Sequence, residues 1–148
     1  MSVDERETNH LKHSYTHEYR LVILEHHLDL FGHVNNAAYL EIFEEARWDL
    51  VTRNGYGLDE VQRTRKGPVI LEVDLKFLRE LRLREEVTIH TGAERVQSRV
   101  GTIHQCIMKK DGTVACQAKF LFGLFDLEKR RLIPPTKEWQ RAIGQGDA

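Results

Sequence analysis

The run Asp29-Leu30-Phe31-Gly32-His33-Val34-Asn35-Asn36 gathers an acid, a turn glycine, a histidine and two helix-capping residues. Tyr39, Ile42, Phe43, Ala46 and Leu50 follow at i, i+3, i+4, i+7 and i+11, the apolar stripe of one helix. A carboxylate therefore stands just ahead of a helix N-terminus, with Asn35 or Asn36 as its N-cap. The first four N–H groups of a helix lack intrahelical partners, and the helix dipole is positive at that end. A carbonyl held between the two could meet the acid on one side and amides that accept its developing charge on the other. Gly32 would let the turn approach an acyl group without a Cβ in the way. His33 could orient Asp29, touch a substrate, or simply bind backbone as a turn histidine. Aspartate in a turn is common in its own right, so the rest of the chain must decide.

The elements around this run are legible from their periods. Tyr19, Leu21 and Ile23 alternate with Arg20, Val22 and Leu24, which predicts a strand from His17 to His27. Gly55, or Gly57, ends the helix, and a helical turn over Leu58 to Gln62 follows. After Gly67-Pro68, Val69, Leu71, Val73, Leu75 and Phe77 alternate with Ile70, Glu72, Asp74, Lys76 and Leu78 as a second strand. Val87 to Val96 reads as a third. Val100 to Lys110 and Thr113 to Asp126 form a hairpin about a two-residue Asp111-Gly112 turn. One hairpin face holds Ile103, Ile107, Val114, Cys116, Ala118, Phe120, Phe122 and Leu124; the other holds His104, Cys106, Met108, Gln117 and Lys119. That register sets Cys106 opposite Gln117 and Cys116 opposite Ile107, on opposite faces, where no disulfide can form. Pro134-Pro135 precedes a short segment, Lys137 to Ile143. The fold class is α+β: an antiparallel sheet of five or more strands and one long helix. One helix cannot cover both faces of such a sheet, so a sheet face or edge is expected to meet another subunit.

At 148 residues the chain suits a single domain. Residues 1–14 read as a loose, charged leader and 15–148 as that domain. A net charge of -1 argues against a nucleic-acid partner. No apolar stretch approaches the roughly 20 residues that span a bilayer, which argues against a membrane protein. Ser2 to His17 is polar, unlike a secretory signal, so the expected address is cytoplasmic. His10, His13 and His17 have a spacing that could suit a metal on a helix, but they fall in a polar leader with no cysteine nearby. No metal is expected.

Asp29-x-x-Gly32-His33-Val34-Asn35-Asn36-x-x-Tyr39, continued by Phe43-Glu44-x-Ala46-Arg47, resembles the hotdog-fold acyl-CoA thioesterases of the 4-hydroxybenzoyl-CoA thioesterase type. The order of elements agrees over roughly residues 17 to 126. The resemblance implies a curved sheet wrapped around the central helix, and a homodimer or homotetramer with sites at subunit boundaries. It implies that Asp29 attacks the thioester carbonyl or activates a water, with no cofactor required. A second branch of the fold uses a carboxylate fifteen residues further on, and Glu44 stands at that distance from Asp29. Glu44 could instead pair with Arg47 at i+3 or cap a dimer contact. The phosphates of coenzyme A call for basic groups. Arg95, Ser98 and Arg99 lie in the loop the family often uses for the cofactor moiety, and Arg79, Arg82 and Arg84 form a second cluster. Either cluster could be a solvated face. The expected substrate-binding set is Gly32, His33, Asn35, Asn36, Arg95, Ser98 and Arg99, with Asp29 and Glu44 as catalytic candidates. The expected reaction is hydrolysis of an acyl-CoA to acid and thiol. The alternatives are an acyl-carrier-protein thioesterase and a non-catalytic acyl-CoA-binding module. Hydration or dehydration of an acyl chain would need a different acid–histidine motif, which is not found here.

Overall fold

The computed structural model describes residues 15–145. Six strands form one antiparallel sheet: β1 (His17–Val22), β2 (Lys66–Phe77), β3 (Glu86–Ala93), β4 (Val100–Lys109), β5 (Val114–Asp126) and β6 (Arg131–Ile133). Their spatial order is β1-β3-β4-β5-β2, with β6 paired to the far end of β5. The helices are α1 (Asn36–Arg53), α2 (Leu58–Thr64) and α3 (Lys137–Ala142). This is the expected α+β architecture of a sheet curved around one long helix.

Helix α1 lies along the inner face because its apolar stripe matches that of the strands. Ile42, Phe43, Ala46 and Leu50 bury against Ile89, Ile107, Phe120 and Phe122, and the Phe43 and Phe120 rings meet edge to face at 5.9 Å. On the β1 side the helix is pinned by polar contacts. His17 Nε2 meets Asp49 Oδ2 at 2.9 Å, and the Tyr19 hydroxyl donates to Glu45 at 2.5 Å. On the β2 side the inner face stays partly open: Ile70, Val73 and Phe77 are 42–45% exposed. Helix α3 closes the end of the core beneath the C-terminus of α1. Thr136 caps it through the Trp139 amide, and the buried Trp139 ring packs edge-on against Tyr56 at 5.1 Å.

Several local expectations are corrected. The first strand ends at Val22 rather than His27, because residues 25–27 turn as a 3-10 helix. There the Leu24 amide donates to His27 Nδ1 at 2.9 Å, and the ring is buried. The second strand starts at Lys66, taking Gly67-Pro68 into the sheet. Proline is tolerated there because β2 is an edge strand. Its alternation does not run unbroken from Val69 to Phe77. A bulge at Leu71 shifts the register, so Ile70, Val73, Leu75 and Phe77 oppose the inward Phe122, Phe120, Ala118 and Cys116. The β4–β5 turn is wider than a two-residue hairpin. The Lys109 amide donates to the Thr113 carbonyl at 2.8 Å, and Gly112 sits at φ +89°. A compensating irregularity between Ile107 and Met108 restores the expected pairs Cys106–Gln117 and Ile107–Cys116. Both thiols are free and buried.

Candidate active site

The segment from Leu28 to Asn35 is a loop stapled on three sides. Leu28 and Val34 form an isolated bridge, as do His33 and Arg82. The Asn35 amide donates to the His27 carbonyl at 2.8 Å, and the Val34 amide to that of Leu81 at 3.3 Å. Inside the loop Asp29 folds back on its own backbone. Its Oδ1 accepts the Phe31 amide at 2.8 Å and the His33 amide at 3.2 Å. The Gly32 amide donates to the Asp29 carbonyl at 3.3 Å. Gly32 is required for its φ of +82°, since a Cβ there would meet no protein atom within 4 Å.

Asn35, not Asn36, is the N-cap of α1, its side chain accepting the Ala37 amide at 2.9 Å. The Ala38 amide goes to the Asn35 carbonyl. Among the described residues no protein acceptor takes the Asn36 amide. Asp29, His33, Asn36 and Tyr39 line one cleft, with Phe77 to Glu80 as its far wall. Half-buried Asp29 and Asn36, the residue that leads the helix with its amide unengaged, therefore line the same space. That pairing can present a nucleophile or base on one side of a carbonyl and a charge acceptor on the other.

His33 contributes through its backbone. Its ring turns to Glu80, with Nε2 3.3 Å from Oε2. Glu44 is exposed and lines a different cavity, together with Arg47 and Trp48. Eight helical residues separate it from Asn36, roughly 12 Å along the axis. No Glu44–Arg47 ion pair forms among the described residues; Arg47 instead donates to Gln105 Oε1 at 2.9 Å and stands 4.2 Å above the Phe120 ring. Burial pulls its guanidinium down to about 10, an effect Glu44 partly opposes.

Arg95, Ser98 and Arg99 are exposed in the β3–β4 loop, where Ser98 Oγ bonds the backbone of its neighbour Val100. Within one chain that loop is at the opposite end of β4 from the cleft, roughly 30 Å along the strand. The second basic cluster is close: Arg79 lines the cleft and Arg82 bridges to His33. His17 pairs with Asp49, while His10 and His13 lie outside the described residues. No cluster able to hold a metal occurs among the described residues.

A polar chain in the core is not foreshadowed by any motif of the sequence. Gln105 Nε2 donates to the Phe43 carbonyl and to Thr91 Oγ1, both at 3.0 Å, while its Oε1 takes Arg47. The available signal was a glutamine at the inward position between Ile103 and Ile107.

An antiparallel sheet wrapped around a central helix, with an acid turn at that helix's mouth, is a hotdog fold. The chain belongs to the Thioesterase-like superfamily, which it matches over residues 9–143, and the reading of a thioester hydrolase stands with it. It is 28% identical over 121 residues to the long-chain acyl-CoA thioesterase FadM of Escherichia coli (strain K12), covering 81% of this chain and 91% of that protein. The structure is similar to that of YbaW, a probable thioesterase from Escherichia coli, with a TM-score of 0.75 and 26% identity over 86% of this chain and 96% of that one. It also shares its fold with SAV2348 from Staphylococcus aureus, solved in complex with CoA: TM-score 0.79 and 19% identity over 85% and 80% of the two chains. No helix among the described residues is long and apolar enough to cross a membrane.

Proposed function

We propose that the protein is an acyl-CoA thioesterase in which Asp29 acts on the thioester and the Asn36 amide receives the oxyanion. One observation carries the reading: Asp29 and Asn36, whose amide has no acceptor among the described residues, line one cleft. As nucleophile, Asp29 adds to the carbonyl and the adduct expels the thiolate, leaving a mixed anhydride that a water then hydrolyses. As base, Asp29 takes the proton of a water that adds directly, and that proton passes to the departing thiolate. Net, one water is consumed and acid and free thiol are released. The two amides on Asp29 Oδ1 hold the carboxylate in place, which favours a productive geometry over a mobile one. The likeness of the motif to the 4-hydroxybenzoyl-CoA thioesterase type supports the turn acid over Glu44. The FadM relative supports an acyl-CoA substrate.

The reading assigns the phosphates of coenzyme A to Arg79 and Arg82, which flank the cleft, and reserves Arg95, Ser98 and Arg99 for a neighbouring subunit's substrate. A homodimer or homotetramer is part of the proposal. The half-exposed apolar residues of edge strand β2 support it, as do Leu30 and Phe31, 102% and 85% exposed beside Asp29. The test is thiol release from acyl-CoA and acyl-carrier-protein thioesters by the wild type and by Asp29→Asn. Hydrolysis by the wild type alone upholds the reading. Equal rates in both remove Asp29 from the chemistry, and turnover of the carrier-protein thioester alone replaces the acyl-CoA substrate.

A further inference from the structure

The residue that closes the C-terminal helix reaches the loop that carries Arg95. Helix α3 is anchored in the core by Trp139, whose buried ring meets Tyr56 and Phe122 edge-on. The helix is capped at Ile143, and Gly144 follows at φ +90°. The Gly144 amide donates to the Arg141 carbonyl at 3.1 Å, and the Gln145 amide to the Gln140 carbonyl at 2.9 Å. Those two bonds around a left-handed glycine turn the chain back over the last turn of the helix. The backbone of Gln145 is therefore fixed by an element that the core holds.

Its side chain commits both ends of the carboxamide to one stretch of the β3–β4 loop. Gln145 Oε1 accepts the Val96 amide at 3.1 Å, and Nε2 donates to the Glu94 carbonyl. A carboxamide offers an acceptor and a donor together, so one side chain can hold both backbone groups. The two held residues flank Arg95, and each has a further tie. The Glu94 amide donates to the Thr102 carbonyl at 2.9 Å, and its carboxylate meets His104 Nε2 at 3.0 Å. Val96 is half-buried and packs against the core. Arg95 itself is exposed. The bonds of Gln145 stop at Val96. Arg99 lies beyond a bend whose ties are local, from Ser98 Oγ to the Val100 backbone.

Resting on the thioesterase reading, and on its use of this loop for the phosphates of a neighbouring subunit's substrate, we infer that Gln145 is a positioning residue for Arg95. With both neighbours held, the Arg95 backbone is ordered before a phosphate arrives, and that part of the ordering loss does not fall on binding. The phosphate contact belongs to Arg95; Gln145 acts through it without touching substrate. Loss of Gln145 should thus weaken what Arg95 contributes, spare what Arg99 contributes, and leave the chemistry at Asp29 alone.

The test is kcat and KM on the full chain with an acyl-CoA and with the matching acyl-pantetheine, which lacks the phosphates. Gln145→Met keeps the length of the side chain and removes both bonds. It and Arg95→Ala should each raise KM for the acyl-CoA about two- to fivefold, the range of an exposed charge contact, with kcat within about twofold. KM for the acyl-pantetheine should not move, which also shows that both variants fold. Gln145→Met with Arg95→Ala should be no worse than Arg95→Ala alone, whereas Gln145→Met with Arg99→Ala should multiply the two single effects. An unchanged KM in Gln145→Met, an equal rise with both substrates, or a multiplied effect with Arg95→Ala would overturn the positioning role. Arg95→Ala without effect on the acyl-CoA would remove the loop from phosphate binding, and the role of Gln145 with it. A wild type that hydrolyses neither substrate would instead overturn the thioesterase reading itself.

Discussion

The His33 amide donates to Asp29 Oδ1 at 3.2 Å while the His33 ring points away to Glu80. The histidine of the motif thus positions the acid through its backbone, and its side chain is not the acid's partner. Three substitutions test this arrangement. Asp29→Asn keeps the turn but removes the charge, so turnover should fall at least about 100-fold, within the range for a lost acid–base group. Glu44→Gln should cost less than tenfold. The reverse order, measured by thiol release, would move the chemistry to Glu44. His33→Ala, which keeps the amide, should cost far less than Asp29→Asn.

Gly32 tests the loop itself. A side chain at φ +82° has space but not the backbone conformation. Gly32→Ala should therefore destabilise the protein by about 1–2 kcal/mol and lower kcat, because the same turn carries the two amides on Asp29. Denaturant unfolding and steady-state kinetics on one preparation check both halves.

Arg79 lies on the cleft wall and is exposed. If it meets the phosphates, Arg79→Ala should raise KM for acyl-CoA about two- to fivefold, the yield of an exposed charge pair. KM for an acyl-pantetheine, which lacks the nucleotide, should not move. Equal effects on both substrates would assign Arg79 to the fold.

His27 predicts a pH dependence of stability. Burial, and secondarily His26, lowers its pKa from 6.5, so the folded form holds the ring neutral and able to accept the Leu24 amide. Below pH 6.5 the unfolded chain binds a proton that the folded chain excludes, so stability falls as pH drops from 6.5 towards the lowered value. His27→Asn keeps an acceptor and cannot titrate. The melting temperature of the variant should therefore fall less over that interval than that of the wild type. Identical slopes would remove His27 as the cause.

The Arg47–Gln105 hydrogen bond predicts a stability effect at a site far from the cleft. Arg47→Met keeps the apolar stem but leaves the buried Gln105 Oε1 without its donor, at a cost of about 1–3 kcal/mol. Gln105→Leu, which also removes the bonds to Phe43 and Thr91, should be destabilising by itself, and adding Arg47→Met to it should cost less than Arg47→Met costs in the wild type. Chemical denaturation of the single and double variants measures the coupling.

The amino-acid order by itself determined the elements and the candidate acid. Helix α1 is legible because its burial repeats every three or four residues, and β5 because every second residue from Val114 to Leu124 is buried. Asp29, Gly32 and Asn35 are legible because turns and caps are local chemistry, settled within a few residues of chain. Tertiary structure alone decided which groups share a cleft. It set Asn36 and Arg79 beside Asp29, left Glu44 in another cavity, and put Arg95 and Arg99 at the far end of the sheet. It also inserted the Leu71 bulge that turns Ile70 inward, and it joined Arg47 to Gln105 across fifty-eight positions. Those relations depend on strand order and register, which are fixed by how distant apolar faces pack together and leave no mark in any short window of sequence.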